Sequence, residues 1–377
     1  MTASYDVALP DGIRARCVDN ANGLRMHVLE AGEPGRPVIV LLHGFPELAW
    51  SWRKQMPALA AAGYHVIAPD QRGYGRTTGW EADFDGDLAA FRLLNLVRDV
   101  MGLVFALGHR RIEALIGHDF GAIVAPWCVL LRPDVFRSMV LMSAPFAGPP
   151  AIPLAPGAPP AARIHDELAA LARPRKHYQW YYSTRPANED MWHCAQGVHD
   201  FLRAYFHMKS ADWDGNRPYP LAAWRAEELA KLPEYYIMDL HADMAATVAP
   251  AMPSPDAVAA CRWLSEQALR VYSSEFARTG FQGGLNWYRG RTCGRFDAEL
   301  QTFDGCRIDV PAAFIGGRSD WGVYQTPGAF EKMQHEACTR MLRCHLLDGA
   351  GHWVQQEQPG EVNRLLLEFL DATSDQR

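Results

Sequence analysis

Short apolar runs alternate with amphipathic stretches over the first 145 residues of the chain. The apolar runs, many of them β-branched, lie at 38–42, 65–68, 113–116 and 139–142. The stretches with helical periodicity lie between them, at 52–62, 87–107 and 122–131. Short buried strands that alternate with amphipathic helices are typical of βαβ units, so the pattern predicts a parallel sheet covered on both faces. Two earlier extended segments, 13–18 and 24–29, flank an Asn-Gly turn and predict an antiparallel entry hairpin.

This alternation stops near residue 145 and returns near residue 312. Proline, glycine and alanine crowd the segment 145–162, which predicts a hinge and not a strand. From there to about 303 the chain is helical in pattern and rich in tryptophan, with no buried-strand run. Strand signals at 312–315 and 344–347 and helix signals at 329–335 and 359–370 then resume the first pattern. We therefore predict one α/β core, residues 1–146 and 304–377, and a domain-sized helical cap, residues 147–303.

Composition and charge narrow the classes of partner. The 377 residues are 49% hydrophobic and 21% charged, which is enough for a substantial core. A formal net charge of −6 argues against a nucleic-acid or anionic-membrane partner, because both favour a basic face. Residues 1–12 lack the features of a secretory signal, and no apolar stretch has the length of a bilayer span. The eight cysteines show no zinc-ligand spacing, so we expect a cytoplasmic protein with free thiols and no bound metal.

Polar side chains stand where the predicted parallel strands end, at the edge of such a sheet that binds ligands. They are His43, Asp70, Asp119, Asp320 and His352. Asp119 is the centre of the sequence GHDFG at 117–121, which has the spacing of a nucleophile elbow, a turn so tight that it requires small flanking residues. Aspartate in this position predicts a carboxylate nucleophile that forms an ester with an sp³ carbon. The alternative is that Asp119 only caps the following helix.

The last two predicted strands provide partners for Asp119. GAGHW at 349–353 places His352 after the final strand, and GGRSD at 316–320 places Asp320 after the strand before it. Nucleophile, acid and histidine follow one another in the chain order of the α/β-hydrolases. We therefore predict a triad of these three residues.

A loop near the elbow is expected to supply hydrogen-bond donors. The backbone N–H groups of Phe45 and Phe120 are predicted to face each other as an oxyanion hole for the tetrahedral intermediate of ester hydrolysis. His43, in the same loop, is interpreted as structural. The side chain of His118 is expected to point away from the nucleophile beside it.

At these residues the chain resembles the epoxide hydrolases of the α/β-hydrolase superfamily. The matching segments are HGFPE at 43–47, WSWR at 50–53, DQRGYG at 70–75, GHDFG at 117–121 and GHW at 351–353. The resemblance implies the α/β-hydrolase fold, a mostly parallel eight-stranded sheet flanked by helices, with a large helical cap inserted after the sixth strand. It also implies a cis peptide bond between Phe45 and Pro46, and no organic cofactor or metal.

The resemblance further implies two cap tyrosines that hydrogen-bond the epoxide oxygen and protonate it as the ring opens. HYQWYY at 177–182 places Tyr178 at the first position, with Tyr181 and Tyr182 as alternatives, and LNWYR at 285–289 places Tyr288 at the second. These rings could instead belong to the cap's own aromatic core. The segment between the two motifs looks longer than the family's usual cap, and its part 191–252 matches none of the family's motifs.

The expected activity is hydrolysis of an apolar or aromatic epoxide to a vicinal diol, through an ester on Asp119 that water activated by His352 releases. A haloalkane or haloacid dehalogenase would use the same nucleophile, but these enzymes place tryptophan or arginine where this chain has Phe120. A non-catalytic binding protein of this fold is disfavoured by the complete triad. No surface stripe marks a contact between copies, so the sequence leaves a homodimer open.

Overall fold

The computed structural model describes residue 5 and residues 8–153 and 162–374. Residues 154–161, which form much of the predicted hinge, lie outside the described residues, as do most of the first seven. Within the described ranges, no helix is both long enough and apolar enough to cross a membrane.

The described residues form ten strands, eight of which make one mostly parallel sheet, and this confirms the predicted fold class. The strands are β1 (Ile13–Asp19), β2 (Arg25–Ala31), β3 (Val38–Leu42), β4 (His65–Pro69), β5 (Ala114–His118), β6 (Met139–Met142), β7 (Arg175–His177), β8 (Ile237–Asp239), β9 (Ala312–Gly317) and β10 (Met341–Leu347). Their order in the main sheet is β1-β2-β4-β3-β5-β6-β9-β10. β1 pairs with β2, and β2 with β4, in antiparallel fashion. The remaining neighbours are parallel.

The central strands are apolar because both of their faces are covered. Every residue of β3, β4, β5 and β6 is buried, and β3 pairs with β5 from Ile39 opposite Ala114 to Leu42 opposite Gly117. β1 lies at one edge of the sheet and alternates between buried and more exposed residues, as expected for a strand with one solvated face.

The helices fall into a group that flanks the sheet and a group that lies between β6 and β9. The flanking helices are α1 (Met56–Ala61), α2 (Leu93–Ala106), α3 (Phe120–Leu131) and, after β9, α14 (Ala329–Lys332), α15 (Val354–Glu357) and α16 (Pro359–Ser374). Those between β6 and β9 are α4 (Ala162–Ala169), α5 (Tyr178–Tyr182), α6 (Pro186–Trp192), α7 (Gly197–Lys209), α8 (Ala226–Leu229), α9 (Met244–Val248), α10 (Pro255–Ala260), α11 (Glu266–Thr279), α12 (Gln282–Thr292) and α13 (Asp297–Gln301). α2 packs with α3, and α1 with α16, so the sheet carries two separate helical layers.

The segment between β6 and β9 also contains a small sheet that the sequence pattern did not predict. β7 and β8 pair in antiparallel fashion from Arg175 opposite Asp239 to His177 opposite Ile237. Each strand has only three residues, and β7 has the sequence Arg-Lys-His, so no apolar run marks it. Its pairing partner lies about sixty residues along the chain, which a local pattern does not register.

The inserted helices lie over the edge of the sheet where the parallel strands end. The indole N–H of Trp287, on α12, donates to the carbonyl of Arg72 at 2.8 Å. Gly73 and Gly283 approach so closely that a Cβ on Gly73 would lie 2.6 Å from the carbonyl oxygen of Gly283. A second contact between the core and the inserted helices involves α7, where the backbone N–H of His352 donates to the carbonyl of Lys209 at 2.9 Å. The carboxyl ends of the strands therefore face the inserted helices.

Candidate active site

Asp119 occupies a strained turn between β5 and α3. Its φ of 50° lies in the left-handed region, which a residue with a Cβ enters at an energetic cost. Small neighbours make the turn feasible: a Cβ on Gly117 would lie 2.2 Å from the carbonyl oxygen of Gly121, and one on Gly121 would lie 2.1 Å from that of Leu42. The structure thus gives the physical reason for glycine on both sides of Asp119. The side chain makes no capping hydrogen bond to α3, so helix capping is not its role.

The two carboxylate oxygens of Asp119 have different neighbours. Oδ1 accepts a hydrogen bond of 2.9 Å from the backbone N–H of Phe45, in the loop after β3. Oδ2 lies 3.6 Å from Nε2 of His352. Gly44 allows the loop to come this close, since a Cβ there would lie 2.4 Å from that of Asp119. Phe120 follows directly as the first residue of α3, and the Phe45–Pro46 peptide bond is cis.

His352 reaches Asp320 through two routes, one of which sequence reasoning missed. Its Nδ1 lies 3.2 Å from Oδ1 of Asp320 and 2.7 Å from the hydroxyl of Ser143, which follows β6. The same hydroxyl donates to Oδ2 of Asp320 at 2.5 Å. The structure therefore brings Asp119, Asp320 and His352 together as predicted, and adds a buried serine between the last two.

The surroundings of His352 and Asp320 favour a neutral imidazole beside an ionised carboxylate. Burial lowers the pKa of His352 below its ordinary 6.5, and the positive charge of Lys209 lowers it further against the opposing effect of Asp320. Burial alone would raise the pKa of Asp320, but the charge of His352 and the hydrogen bonds from His352, Ser143 and the Gly322 N–H outweigh it, so that pKa lies below its usual value. A neutral histidine can accept a proton, as a general base must.

The side chain of His118 points away from that of Asp119 and forms a buried ion pair. Its Nδ1 lies 2.6 Å from Oε2 of Glu47, and its Nε2 lies 2.7 Å from the carbonyl oxygen of His352, so both nitrogens act as donors when the ring is protonated. Burial opposes this state, but the charge and hydrogen bond of Glu47 raise the pKa of His118 to about 9. The pKa of Glu47 is lowered to about 2, because the charge of His118 outweighs burial. The pair links the Phe45 loop, the elbow and the His352 loop.

The remaining polar residues at the strand ends are structural. Nε2 of His43 accepts from the backbone N–H of Gln71 at 3.1 Å, so Nδ1 carries the proton and donates to the Gly44 carbonyl at 2.8 Å. Asp70 accepts hydrogen bonds from the Tyr5 hydroxyl at 2.7 Å and the Ala49 N–H at 2.9 Å, and it pairs with a buried histidine. Neither side chain is directed at Asp119 by these contacts.

Two of the candidate tyrosines pack edge to face, close enough to Asp119 for its charge to affect both. The ring centroids of Tyr178, on α5, and Tyr288, on α12, lie 5.8 Å apart, and the Tyr288 ring lies 4.6 Å from that of Phe120. Burial raises the pKa of Tyr178, and the charge of Asp119 adds to it. Burial, Tyr178 and Asp119 raise the pKa of Tyr288 in the same way. Both phenols therefore keep their protons near neutrality.

The two alternatives to Tyr178 have other hydrogen-bond partners. The hydroxyl of Tyr181 donates to Asp190 at 2.9 Å, on the far side of α5. The hydroxyl of Tyr182 donates to that of Tyr205 at 3.3 Å, although its ring packs 4.9 Å from the Tyr288 ring. The hydroxyl of Tyr178 donates to Oε1 of Gln325 at 3.3 Å and accepts from the side-chain amide of Gln179 at 3.1 Å. Because Gln325 belongs to the core, this hydroxyl lies where the inserted helices meet the core.

A buried lysine adds a positive charge close to Asp119 and His352. Lys209 is 3% exposed, and its Nζ lies between 5.0 and 5.7 Å from the centroids of four aromatic rings. These rings belong to Tyr205, Tyr235, Tyr236 and Trp353. Such contacts stabilise a desolvated cation. Among the residues that the structure describes, no group of three or more histidine, cysteine, aspartate or glutamate side chains is arranged to hold a metal ion.

Comparisons with known proteins agree on one family. A family model for the alpha/beta hydrolase fold matches residues 37–230. Epoxide hydrolase A of Mycobacterium tuberculosis is 38% identical over 359 residues, which cover 94% of this chain and 96% of that protein. Epoxide hydrolase B of the same organism is 35% identical and covers 93% and 96%.

Solved structures give the same result. An epoxide hydrolase from an endophytic Streptomyces superposes with a TM-score of 0.79 at 32% identity, covering 97% of each chain. Epoxide hydrolase A from Mycobacterium thermoresistibile superposes with a TM-score of 0.74 at 34% identity, covering 95% of this chain and 98% of that one.

Proposed function

The chain belongs to the epoxide hydrolases of the alpha/beta hydrolase fold, and we propose that it opens an epoxide to a vicinal diol through a covalent ester on Asp119. One observation carries the proposed mechanism: the two oxygens of a single carboxylate have separate neighbours. Oδ1 is held by the Phe45 N–H at 2.9 Å, and Oδ2 lies 3.6 Å from His352. One oxygen is thus placed to attack and the other to receive negative charge later.

In the first step, Oδ2 of Asp119 attacks an epoxide carbon. A bond forms between that oxygen and the carbon, and the carbon–oxygen bond of the ring breaks. The epoxide oxygen leaves as an alkoxide, which takes a proton from Tyr178 or Tyr288. The rings of these tyrosines lie 5.8 Å apart, and both hydroxyls keep their protons because burial raises their pKa values. General acids of this kind contribute roughly 100- to 10,000-fold to a rate.

In the second step, water hydrolyses the ester. Nε2 of His352 removes a proton from the water, and the hydroxide attacks the ester carbonyl carbon of Asp119. Oδ1 becomes an oxyanion, which the N–H groups of Phe45 and Phe120 stabilise. The intermediate collapses, the bond between the carbonyl carbon and the alkyl oxygen breaks, and the diol leaves with the proton from His352. The carboxyl proton that remains on Asp119 returns through water to the tyrosinate that the first step left, which restores the enzyme. Asp320 orients the imidazole, which it reaches at 3.2 Å. Water thus attacks an activated ester instead of an unactivated carbon.

We propose that the segment 147–303 acts as a cap that closes this site and selects its substrate. Aromatic side chains lie close to the nucleophile. The ring centroid of Phe45 lies 5.5 Å from that of Tyr288, and the ring centroid of Phe120 lies 4.6 Å from it. Such a lining favours an apolar or aromatic epoxide. The mechanism needs only the epoxide, water and side chains of this chain.

The test is diol formation from a panel of aryl and alkyl epoxides by the purified enzyme. Asp119→Asn is the control, because it keeps the shape of the side chain and removes the nucleophile. We expect the wild type to form diols and the variant to form none. Turnover of haloalkanes with halide release, without turnover of any epoxide, would contradict the proposal and favour a dehalogenase.

A further inference from the structure

Ser143 has a positive backbone φ angle, as Asp119 does. Among the described residues other than glycine, only Asp119 and Ser143 have a positive φ, 50° and 69°. The N–H of Ala144 donates to the carbonyl of Met142 at 2.8 Å, which closes a three-residue γ-turn around Ser143. A γ-turn with positive φ is rare and strained. Strain of this kind persists where the surrounding structure requires it, often at functional sites.

The hydroxyl of Ser143 connects the base and the acid of the site. His352 Nδ1 lies 2.7 Å from this hydroxyl but 3.2 Å from the nearer oxygen of Asp320. Ser143 Oγ in turn donates to Oδ2 of Asp320 at 2.5 Å, while Oδ1 accepts the Gly322 N–H at 2.7 Å. The shorter route from imidazole to carboxylate therefore passes through the serine. Because the hydroxyl proton of Ser143 points to the carboxylate, the hydroxyl oxygen can act only as an acceptor towards Nδ1 of His352. Nδ1 must therefore carry the proton.

We propose that Ser143 is a positioning residue for ester hydrolysis: its hydroxyl holds the proton on Nδ1 of His352 and thereby keeps Nε2 free to accept a proton from water. This inference rests on the proposed function. The hydroxyl acts through His352 and touches neither substrate nor nucleophile, so its effect is confined to the second step. Attack by Asp119 on the epoxide requires no proton transfer to or from His352, so its rate should not depend on Ser143.

The surroundings of the hydroxyl explain why the position requires a small side chain. Ser143 and Asp320 are buried, and a Cβ on Gly322 would lie 2.7 Å from the Ser143 hydroxyl. A β-branched threonine would be a severe outlier at a φ of 69°. Serine supplies both a donor and an acceptor on one atom within this space. Removing it leaves a buried carboxylate oxygen without its short hydrogen bond.

The test compares two variants that lack the hydroxyl with one matched control. Ser143→Ala keeps the Cβ in the strained turn, and Ser143→Gly relieves the strain, so the glycine variant protects the test against a folding failure. Ser138→Ala is the control, because Ser138 precedes the same strand and its buried hydroxyl bonds to a backbone carbonyl at 2.7 Å, away from the triad. Single-turnover tryptophan fluorescence gives the alkylation rate, and intact-protein mass gives the decay of the ester.

We expect both Ser143 variants to hydrolyse the ester roughly 10- to 100-fold more slowly, which is the effect of losing a hydrogen bond to a charged group, with alkylation changed less than about twofold. The ester should then accumulate during turnover. In a His352→Gln background, adding Ser143→Ala should have no further effect on hydrolysis. Hydrolysis as fast as in Ser138→Ala, or equal losses in both steps, would overturn the proposal. A His352→Gln variant that gains no ester, while the wild type forms diol, would instead refute the proposed function.

Discussion

The buried pair of Glu47 and His118 gives a stability prediction with a defined pH dependence. Glu47→Gln removes the negative charge that faces His118 at 2.6 Å and keeps the size of the side chain. Both side chains are fully buried, so a protonated His118 in the variant would have no partner. Breaking a buried pair in this way typically costs about 3 to 5 kcal/mol, because one charge is left uncompensated.

The pH dependence follows from the pKa of His118. Its pKa is about 9 in the folded protein against an ordinary 6.5, a difference that corresponds to roughly 3 kcal/mol. Because the folded-state pKa is raised, this stabilisation is fully present below pH 6.5 and is lost as the pH rises through 9. The lowered pKa of Glu47, about 2, acts only in acid, where its contribution is lost as the pH falls from 4.5 toward 2. The deficit of Glu47→Gln, meaning its loss of unfolding free energy relative to the wild type, should therefore be largest near pH 6.5. It should shrink by roughly 3 kcal/mol by pH 9.

Urea denaturation of the wild type and Glu47→Gln, followed by tryptophan fluorescence at both pH values, measures this difference in unfolding free energy. Other titrating groups occur in both proteins and cancel. Glu361→Gln, which removes an exposed partner of Arg364, is the control and should leave the free energy of unfolding essentially unchanged at both pH values. A deficit that stays constant or grows between pH 6.5 and pH 9 would refute the reasoning.

Further predictions concern the tyrosines and the buried lysine. Tyr178→Phe and Tyr288→Phe should each slow alkylation at least tenfold in single-turnover fluorescence, whereas Tyr181→Phe, whose hydroxyl bonds to Asp190, should alkylate at the wild-type rate; equal effects of all three would contradict the assignment. Lys209→Met should raise the pKa of His352, because it removes a positive charge that lowers that pKa, so the acid limb of the pH profile for ester hydrolysis should move to higher pH. Lys209→Arg should keep the wild-type limb, and a shift to lower pH in the methionine variant would oppose this account.

The sheet could be predicted because its strands carry their own signal. The runs at 38–42 and 139–142 are apolar throughout, and they match β3 and β6 residue for residue. Such strands are buried on both faces, so composition alone marks them. The three-residue β7 has no such run, and its strand conformation depends on a partner distant in the chain. Elements whose conformation is fixed by tertiary contacts are the ones that sequence periodicity misses.

The candidate site, like the sheet, contains residues that the sequence pattern marks and residues that it does not. Asp119, Asp320 and His352 follow predicted strands, and their order along the chain predicted them together as nucleophile, acid and base. Ser143 also directly follows a strand, so the same rule could have included it, but a hydroxyl bridge between two other side chains has no sequence signature. The role of Glu47 has no local signal beyond the motif HGFPE, since its partner His118 lies 71 positions away.

The covalent ester on Asp119 is the central claim, and intact-protein mass spectrometry of His352→Gln tests it most directly. This variant keeps the nucleophile and the donors but lacks the base that activates water. Incubated with an aryl epoxide, it should gain the mass of one epoxide, and peptide mapping should locate the addition on Asp119. A variant that hydrolyses the epoxide at the wild-type rate, or one that never gains this mass while the wild type forms diol, would contradict the account.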